Sequence, residues 1–440
     1  MSVDQELIKE RRTVEEELGK LLHVDRLDGL ANHDALNLLG MLVNEADDTR
    51  CVEKVARALN WCDQLNSREW SGSEAVRFHY NWANAWAARR HILMNDASSS
   101  SWEWNHPELG QELFHLRMAI KEPEFDSSEN YQKCQIYVNT ANALNTLGRP
   151  VQALEYWNRA LQIIPNYGMA LGNHGLGLMS YARQLYDGGH AMVLMKFAYE
   201  DFKSAISAGA YYEDNGYETV KTGMETEANN IETHIDLAVV NSTLDLHHHS
   251  LGESKEEQEY RRWCLTQRLF LNPINDLGTY PIAARDIFGL PSITVSIKEP
   301  PVLYGFFNQL KQEYVSARYM YYEGICSDGV HFSDRDVALV NTLDYPAYSI
   351  AVEREKVAFR LLYSIFDKLA YFINSYWRLG MPEKQVSFRS VWVQKGKTGK
   401  VSSLRDQFDG YENLPMRGLY WLSKDILEND AMLEFRGHNT

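Results

Sequence analysis

One stretch of this sequence repeats itself at a fixed spacing. From Tyr137 it reads YVNTANALNTLGRPVQALEYWNRALQIIPNYGMALGNHGLG. Asn139 recurs as Asn173, 34 residues later, and Ala141 recurs as Gly175 at the same distance. A period of this length is typical of stacked helix hairpins, each of which buries its apolar face only against its neighbours. The spacing therefore predicts a helical array with an extended binding surface, and it places any chemistry elsewhere in the chain.

Small and aromatic residues share one face of a predicted helix within this stretch. Ala153, Trp157 and Ala160 are spaced four and three residues apart, so Trp157 fills the space that the two alanines leave for a neighbouring helix. Gly148 marks the turn before this helix, and Pro165 marks its end. Because period, turn glycine and terminal proline agree, the stretch resembles tetratricopeptide repeats more than a generic helical bundle.

The same pattern predicts a tetratricopeptide-like α-solenoid over residues 1–245. Ala198, Phe202 and Ala205 repeat the spacing 45 residues later, which indicates an insertion of about 11 residues within 181–196. The further helices predicted in this region lie at 1–22, 34–66 (a pair), 72–90, 108–121 and 211–245 (two segments split near Gly223).

The rest of the chain has a different pattern. Residues 246–301 combine one long helix, predicted to end at Asn272, with a proline-rich stretch, and this composition is typical of a connector. Strand signals are scarce after it, and the whole chain is predicted to be all-α, with a small helical bundle at 302–440. Three amphipathic, aromatic-rich helices are predicted there, at 302–325, 349–377 and 413–428.

Composition limits the classes of function open to the chain. It has 60 acidic and 44 basic residues and a net charge of −16, so we do not expect general nucleic-acid binding. No apolar run approaches the roughly 20 residues that span a bilayer, and the polar N-terminus is unlike a secretory signal, so we expect no membrane association. Five cysteines without a CxxC pair indicate reduced thiols in a cytoplasmic protein, and we expect no metal and no cofactor.

One segment departs from the acidic balance. Residues 384–405 contain no Asp or Glu, and their glycines predict an exposed loop. Two interpretations stay open: a solvated loop that balances acidic neighbours, or an RNA-binding patch of the C-terminal domain. The basic residues of the segment are Lys384, Arg389, Lys395, Lys397, Lys400 and Arg405.

Four strings in the second half resemble a known family. They are YRRWCLTQRLFLNPIND (260–276), NQLKQEYVSARYMYYEG (308–324), RLLYSIFDKLAYFIN (360–374) and PMRGLYWLSKD (415–425). Together they resemble the LA2681-like HEPN family, and with the repeats before them the similarity covers roughly residues 135–428. The resemblance implies a HEPN bundle fused to a tetratricopeptide-type solenoid. It also implies a metal-independent endoribonuclease of a bacterial toxin–antitoxin, abortive-infection or anti-phage system, in which two copies form one composite active site.

The resemblance also implies where the catalytic residues lie. The family motif is an arginine, four to six residues and then a histidine, which stabilise the phosphate charge and move a proton when the RNA 2′-hydroxyl attacks. Arg436 lies where the arginine is expected, and the matching histidine is expected at 441–443, after the last residue of this sequence. His438 is only two residues from Arg436 and points away from it on a helix. The prediction is therefore a bundle without a complete last helix, with Arg436 and His438 as its candidate pair.

Asp367 is the third candidate catalytic residue. It lies mid-helix among apolar residues, in the part of the chain that the resemblance assigns to the bundle. It is either a polar group that lines the nucleolytic cleft or an ordinary hydrogen-bonded helix residue.

Two classes of function follow from these observations. The first is a HEPN-type RNA-cleaving protein of a stress or anti-phage system, which acts on RNA as a homodimer or larger complex. The second is a non-catalytic adaptor that holds a protein or peptide partner in the groove of the solenoid and dimerises through a degenerate bundle. An antitoxin-like partner of a separate nuclease is a third hypothesis.

Overall fold

The structure of the protein is a computed structural model. In it the chain divides into two compact units, Met1–Val240 and Asn241–Thr440. Over the described residues the chain is helical apart from one short β-hairpin, which confirms the predicted all-α class. Among the residues that the structure describes, no helix combines the length and apolar character needed to cross a lipid bilayer. The residues that the structure describes are 27, 29–94, 102–213, 217–292, 294–295, 298, 300–327, 329–337, 348–395 and 402–427.

The first unit is a series of helices that pack on their neighbours in the chain. This arrangement is that of helix hairpins stacked in a solenoid. The helices are α1 (Asn32–Asp48), α2 (Val52–Leu65), α3 (Ser73–Met94), α4 (Pro107–Lys121), α5 (Asn130–Thr146), α6 (Pro150–Ile163), α7 (Gly168–Ala182), α8 (Gly188–Ala205) and α9 (Glu218–His234), followed by α10 (Leu237–Thr243).

The face that carries Ala153, Trp157 and Ala160 on α6 is fully buried. The indole nitrogen of Trp157 donates a hydrogen bond to Oδ1 of Asn142 at 3.1 Å. Gly177 of α7 faces the same ring, because a Cβ atom built there would lie 2.2 Å from the ring carbon Cζ3. The close packing of α6 on α7 therefore depends on an aromatic side chain in one helix and on the lack of any side chain in the other.

Some predicted boundaries are wrong. Helix α9 runs through Gly223 without a break, because Met224, Ala228 and Ile231 bury its inner face. The range 181–196, where an insertion was predicted, covers the connection after α7, which ends at Ala182, and the first turns of α8, which begins at Gly188. The leading helix predicted at 1–22 lies outside the described residues.

Within the described residues, the second unit contains five further α-helices and one hairpin. They are α11 (Lys255–Thr266), α12 (Pro273–Leu277), α13 (Val302–Ile325), α14 (Ile350–Tyr376), β1 (Val393–Lys395), β2 (Ser402–Leu404) and α15 (Leu414–Leu427). The two strands pair antiparallel, with Val393 opposite Leu404. Helix α11 ends before the predicted Asn272, which instead caps α12 by accepting a hydrogen bond from the Ile274 amide at 3.0 Å.

Two glycine substitutions test this packing. Gly177→Ala should lower the free energy of unfolding by about 1–3 kcal/mol, because the added methyl group displaces the rigid ring of Trp157. Gly223→Ala, in α9, meets no atom within 4 Å and should raise it by about 0.5–1 kcal/mol. Urea unfolding followed by circular dichroism measures both, and a fully stable Gly177→Ala variant would contradict the proposed fit.

Candidate functional site

Helices α13 and α14 form the frame of the second unit. They run antiparallel: the ring of Phe306 lies 6.2 Å from that of Phe372, and Glu313 pairs with Lys368. Close approach near the other end depends on Gly324, where a Cβ atom would lie 3.0 Å from the carbonyl oxygen of Ala351. The pair is thus a fixed scaffold on which the following segments are placed.

A buried arginine joins α13 to the segment before it. Arg318 is 5% exposed, and its guanidinium donates to both carboxylate oxygens of Asp286 at 2.8 Å. It also donates to the Leu269 carbonyl at 2.8 Å and to the Tyr260 hydroxyl at 2.9 Å. Burial alone would lower the pKa of Arg318, but the hydrogen bonds and charge of Asp286 outweigh burial and raise it. With its donors engaged inside the unit, Arg318 is an internal anchor.

The side chain of Asp367 supports a loop. Its Oδ1 atom accepts a hydrogen bond from the backbone amide of Phe388 at 3.1 Å. This bond holds Phe388 on α14, where its ring lies 5.0 Å from that of Phe366. Of the two interpretations of Asp367, the hydrogen-bonded structural role is the one that this contact describes.

Arg405, which the sequence placed in the basic segment, supports the same loop. Its guanidinium donates to the carbonyl oxygens of Val391 at 2.9 Å and Ser390 at 3.0 Å. Burial lowers the pKa of Arg405. Asp367 and Arg405 therefore both bind the backbone of one loop, the first at Phe388 and the second at Ser390 and Val391. We call residues 383–392 the basic loop.

The basic loop presents two of the predicted RNA-binding side chains to solvent. Lys384 and Arg389 are both exposed, on either side of the buried Val386 and Phe388. The backbone of Lys395 belongs to β1. The other predicted residues, Lys397 and Lys400 as well as Arg436 and His438, lie outside the described residues.

Helix α15 is held by an aromatic core. The ring of Trp392 lies 5.8 Å from that of Phe408 and 5.9 Å from that of Tyr420, and all three side chains are buried. Arg417, in the first turn of α15, is 4% exposed, and burial lowers its pKa to about 10. It stays positively charged at neutral pH and brings that charge into the bundle. Sequence reasoning did not single it out, although a lone arginine on an apolar helix face was a usable signal.

An apolar stripe runs along the outer side of α14. Phe359 is 68% exposed, and Leu362 and Tyr363 are exposed beside it at helical spacing. Soluble proteins seldom leave such a contiguous group of large apolar side chains in water unless it binds something.

No group of three or more His, Cys, Asp or Glu side chains could hold a metal ion in the ranges that the structure describes. Within those ranges the predicted site residues are brought together only through the basic loop. Asp367 and Arg405 bind its backbone, and Lys384 and Arg389 are exposed on it.

Comparison with known families agrees with this architecture in the second unit. Residues 294–438, or 145 of the 440, match the profile of the LA2681-like HEPN family. The match covers α13, α14, the hairpin and α15, and it confirms the HEPN part of the resemblance seen in the sequence. Neither a curated protein nor a solved structure matches the chain significantly. The tetratricopeptide resemblance of the first unit stays a prediction.

Breaking the buried ion pair should loosen α13. Asp286→Asn leaves the Arg318 guanidinium buried without its counter-charge, which costs about 3–5 kcal/mol. Glu323→Gln removes a partner of Arg354 that is 3.8 Å away and partly exposed, and should cost less than about 1 kcal/mol. Hydrogen–deuterium exchange of peptides from 302–325 compares the two. Equal protection in both variants would show that the anchor does not stabilise this helix.

Proposed function

We propose that the chain is a HEPN-type effector that binds and cuts RNA as a pair of identical chains, in the cytoplasm, as part of a bacterial toxin or anti-phage system. The observation that carries the proposal is the basic loop, held by Asp367 and Arg405 inside the region that matches the HEPN profile. A fixed loop with outward-pointing Lys384 and Arg389 suits phosphate contact.

The proposed chemistry follows the HEPN resemblance. Arg436 would stabilise the negative charge that develops on the phosphate, and His438 would move the proton of the 2′-hydroxyl. Two copies would be needed to bring such groups together. In this proposal the stripe of α14 is the surface that the second copy covers, because Phe359 and its neighbours are too apolar to favour water.

Neutralising the basic loop should weaken RNA binding. The double variant Lys384→Gln with Arg389→Gln removes two phosphate contacts, so the slope of log affinity against log salt should fall by about two. Arg335→Gln, at another exposed arginine, is the matched control and should keep the parent slope. Fluorescence anisotropy with labelled tRNA measures binding, and incubation with total RNA in EDTA measures cleavage. The proposal fails if the parent chain neither binds nor cuts RNA, or if the double variant behaves as the control does.

Charging the apolar stripe should dissociate the pair. Phe359→Asp places a carboxylate in the proposed interface and should raise the dimer dissociation constant at least about a hundredfold, since an unpaired buried charge costs several kcal/mol. Arg360→Asp introduces the same group on the neighbouring exposed position, off the stripe, and should leave association unchanged. Sedimentation velocity over a concentration series measures both. A monomeric parent chain would remove the stripe from the proposal.

A non-catalytic adaptor is the second candidate function. Two residues with the chemistry of a nuclease site, Asp367 and Arg405, are engaged with the backbone of one loop, and this favours a structural use of the bundle. A chain that dimerises through α14 but neither binds nor cuts RNA in the assays above would select this candidate.

A further inference from the structure

Two histidine side chains contact each other between α3 and α4 of the first unit. The Nδ1 atom of His79, on α3, lies 3.2 Å from the Nδ1 atom of His115, on α4, which is hydrogen-bond distance. His115 is 3% exposed, and the side chain of His79 is 15% exposed. We call these two residues the histidine pair, and their bond joins the two helices directly.

Aromatic rings enclose the histidine pair. The ring of Trp82 stacks on that of His115 with the centroids 4.0 Å apart, and the ring of Phe114 lies 5.0 Å from His115 on its other neighbour contact. These rings take the place of water that would solvate a charged imidazole. Burial lowers the pKa of His79 to about 4, and burial, followed by the charge of His79, holds the pKa of His115 well below its ordinary value. Both rings are therefore neutral at pH 7.

The geometry of the pair admits one proton between its two Nδ1 atoms. In the neutral pair one Nδ1 atom carries a hydrogen and donates it, and the other accepts it. If both rings were protonated, each Nδ1 atom would carry a hydrogen, and two positive charges would face each other across 3.2 Å. The contact is thus a bond between neutral rings and a repulsion between charged ones.

One carboxylate lies beside the pair. Atom Oε1 of Glu122, the residue after α4, is 3.8 Å from Nε2 of His79. It can stabilise a first added proton on that nitrogen while the bond between the Nδ1 atoms persists. Among the described residues, Glu122 is the one acidic side chain in ion-pair contact with either histidine. The second proton therefore enters without a counter-charge, and it is the one that breaks the bond.

The charged groups on the elements around the pair have other contacts. Arg90 of α3 pairs with Glu112 of α4 at 3.0 Å, and Arg77 of α3 donates to Oδ1 of Asn37 on α1 at 2.6 Å. The remaining contacts of this kind join Arg89 to Glu108, His91 to Asp47, Lys54 of α2 to Glu45, and Lys133 of α5 to the carbonyl of Asp126. These groups do not compensate the charge of a doubly protonated pair.

The pair lies where several helices of the first unit meet. Helix α3 packs on α1, α2 and α4, and α4 packs in turn on α5. The contact between α3 and α4 thus connects the leading helices to the rest of the unit, and its loss would interrupt the stack.

We propose that His79 and His115 form an acid-sensitive lock: at neutral pH their bond holds α3 on α4, and protonation of both rings releases this hairpin and interrupts the first unit. The lock goes beyond the proposed function. It depends only on residues of the first unit, so its failure would leave the proposed nuclease untouched.

The direction of the pH dependence follows from proton uptake. In the opened hairpin both histidines have the ordinary pKa of about 6.5, so the open form takes up two protons that the closed pair resists. The lock is fully effective above about pH 6.5 and weakens as the pH falls from there toward about 4. Each histidine shifts the opening equilibrium up to about tenfold per pH unit in this range.

Hydrogen–deuterium exchange of the full-length chain tests the lock. On going from about pH 7.5 to about pH 5.5, and after correction for the intrinsic exchange rate, peptides from α3 and α4 should exchange up to about a hundredfold faster, whereas peptides from α6 should change far less. The double variant His79→Asn with His115→Asn keeps a polar group near each Nδ1 position but cannot take up a proton, and should lose this acceleration. His33→Asn, at an exposed histidine of α1, is the matched control and should keep it.

A measurement on the parent chain covers the case in which the double variant does not fold. In nuclear magnetic resonance of the chain labelled with carbon-13 histidine, two of the 14 histidines should stay neutral at about pH 5.5, where a free imidazole is charged. Titration of every histidine like a free imidazole overturns the proposal. Equal acceleration of exchange in α6, or acid acceleration that persists in the folded double variant, overturns it as well.

Discussion

Both units depend on the close approach of helices at residues that have little or no side chain. In the first unit the ring of Trp157 occupies the space where a side chain of residue 177 would lie, and the ring of Phe202 does the same at Gly175. In the second, Gly324 lets α13 lie against the backbone of α14. A helix pair brought this close buries large side chains at close-packed density, and each additional methyl group at the contact would force the pair apart.

This constraint explains which parts of the fold the sequence predicted. The face of Ala153, Trp157 and Ala160 was readable because small and large residues alternate at helical spacing, and its burial is complete. Helices α13, α14 and α15 fall within one residue of their predicted bounds, since their apolar pattern is long and regular. The break at Gly223 was a wrong prediction. A helical glycine costs only about 1 kcal/mol, which the burial of Met224 and Ala228 around it exceeds.

The candidate site was less predictable, because sequence shows which groups are present but not which are engaged. Asp367 and Arg405 had suitable chemistry, yet their partners are backbone groups of a loop 21 and 14 residues away. Such contacts follow from the fold and leave no local pattern. Lys384 and Arg389 were identified by composition alone, and their exposure is the one property that a basic, acid-free segment does indicate.

The net charge of −16 limits how strongly the chain can bind RNA in the proposed function. Charges are screened over roughly 8 Å at physiological salt, so a basic loop can attract phosphate locally although the chain as a whole repels RNA. Binding through Lys384 and Arg389 alone would then be weak and strongly dependent on salt. The proposed pairing of two chains would double the number of such loops that one RNA can contact, and joint contact strengthens binding without any new group. In this proposal, pairing through the apolar stripe of α14 is what gives the basic loop enough affinity to hold RNA.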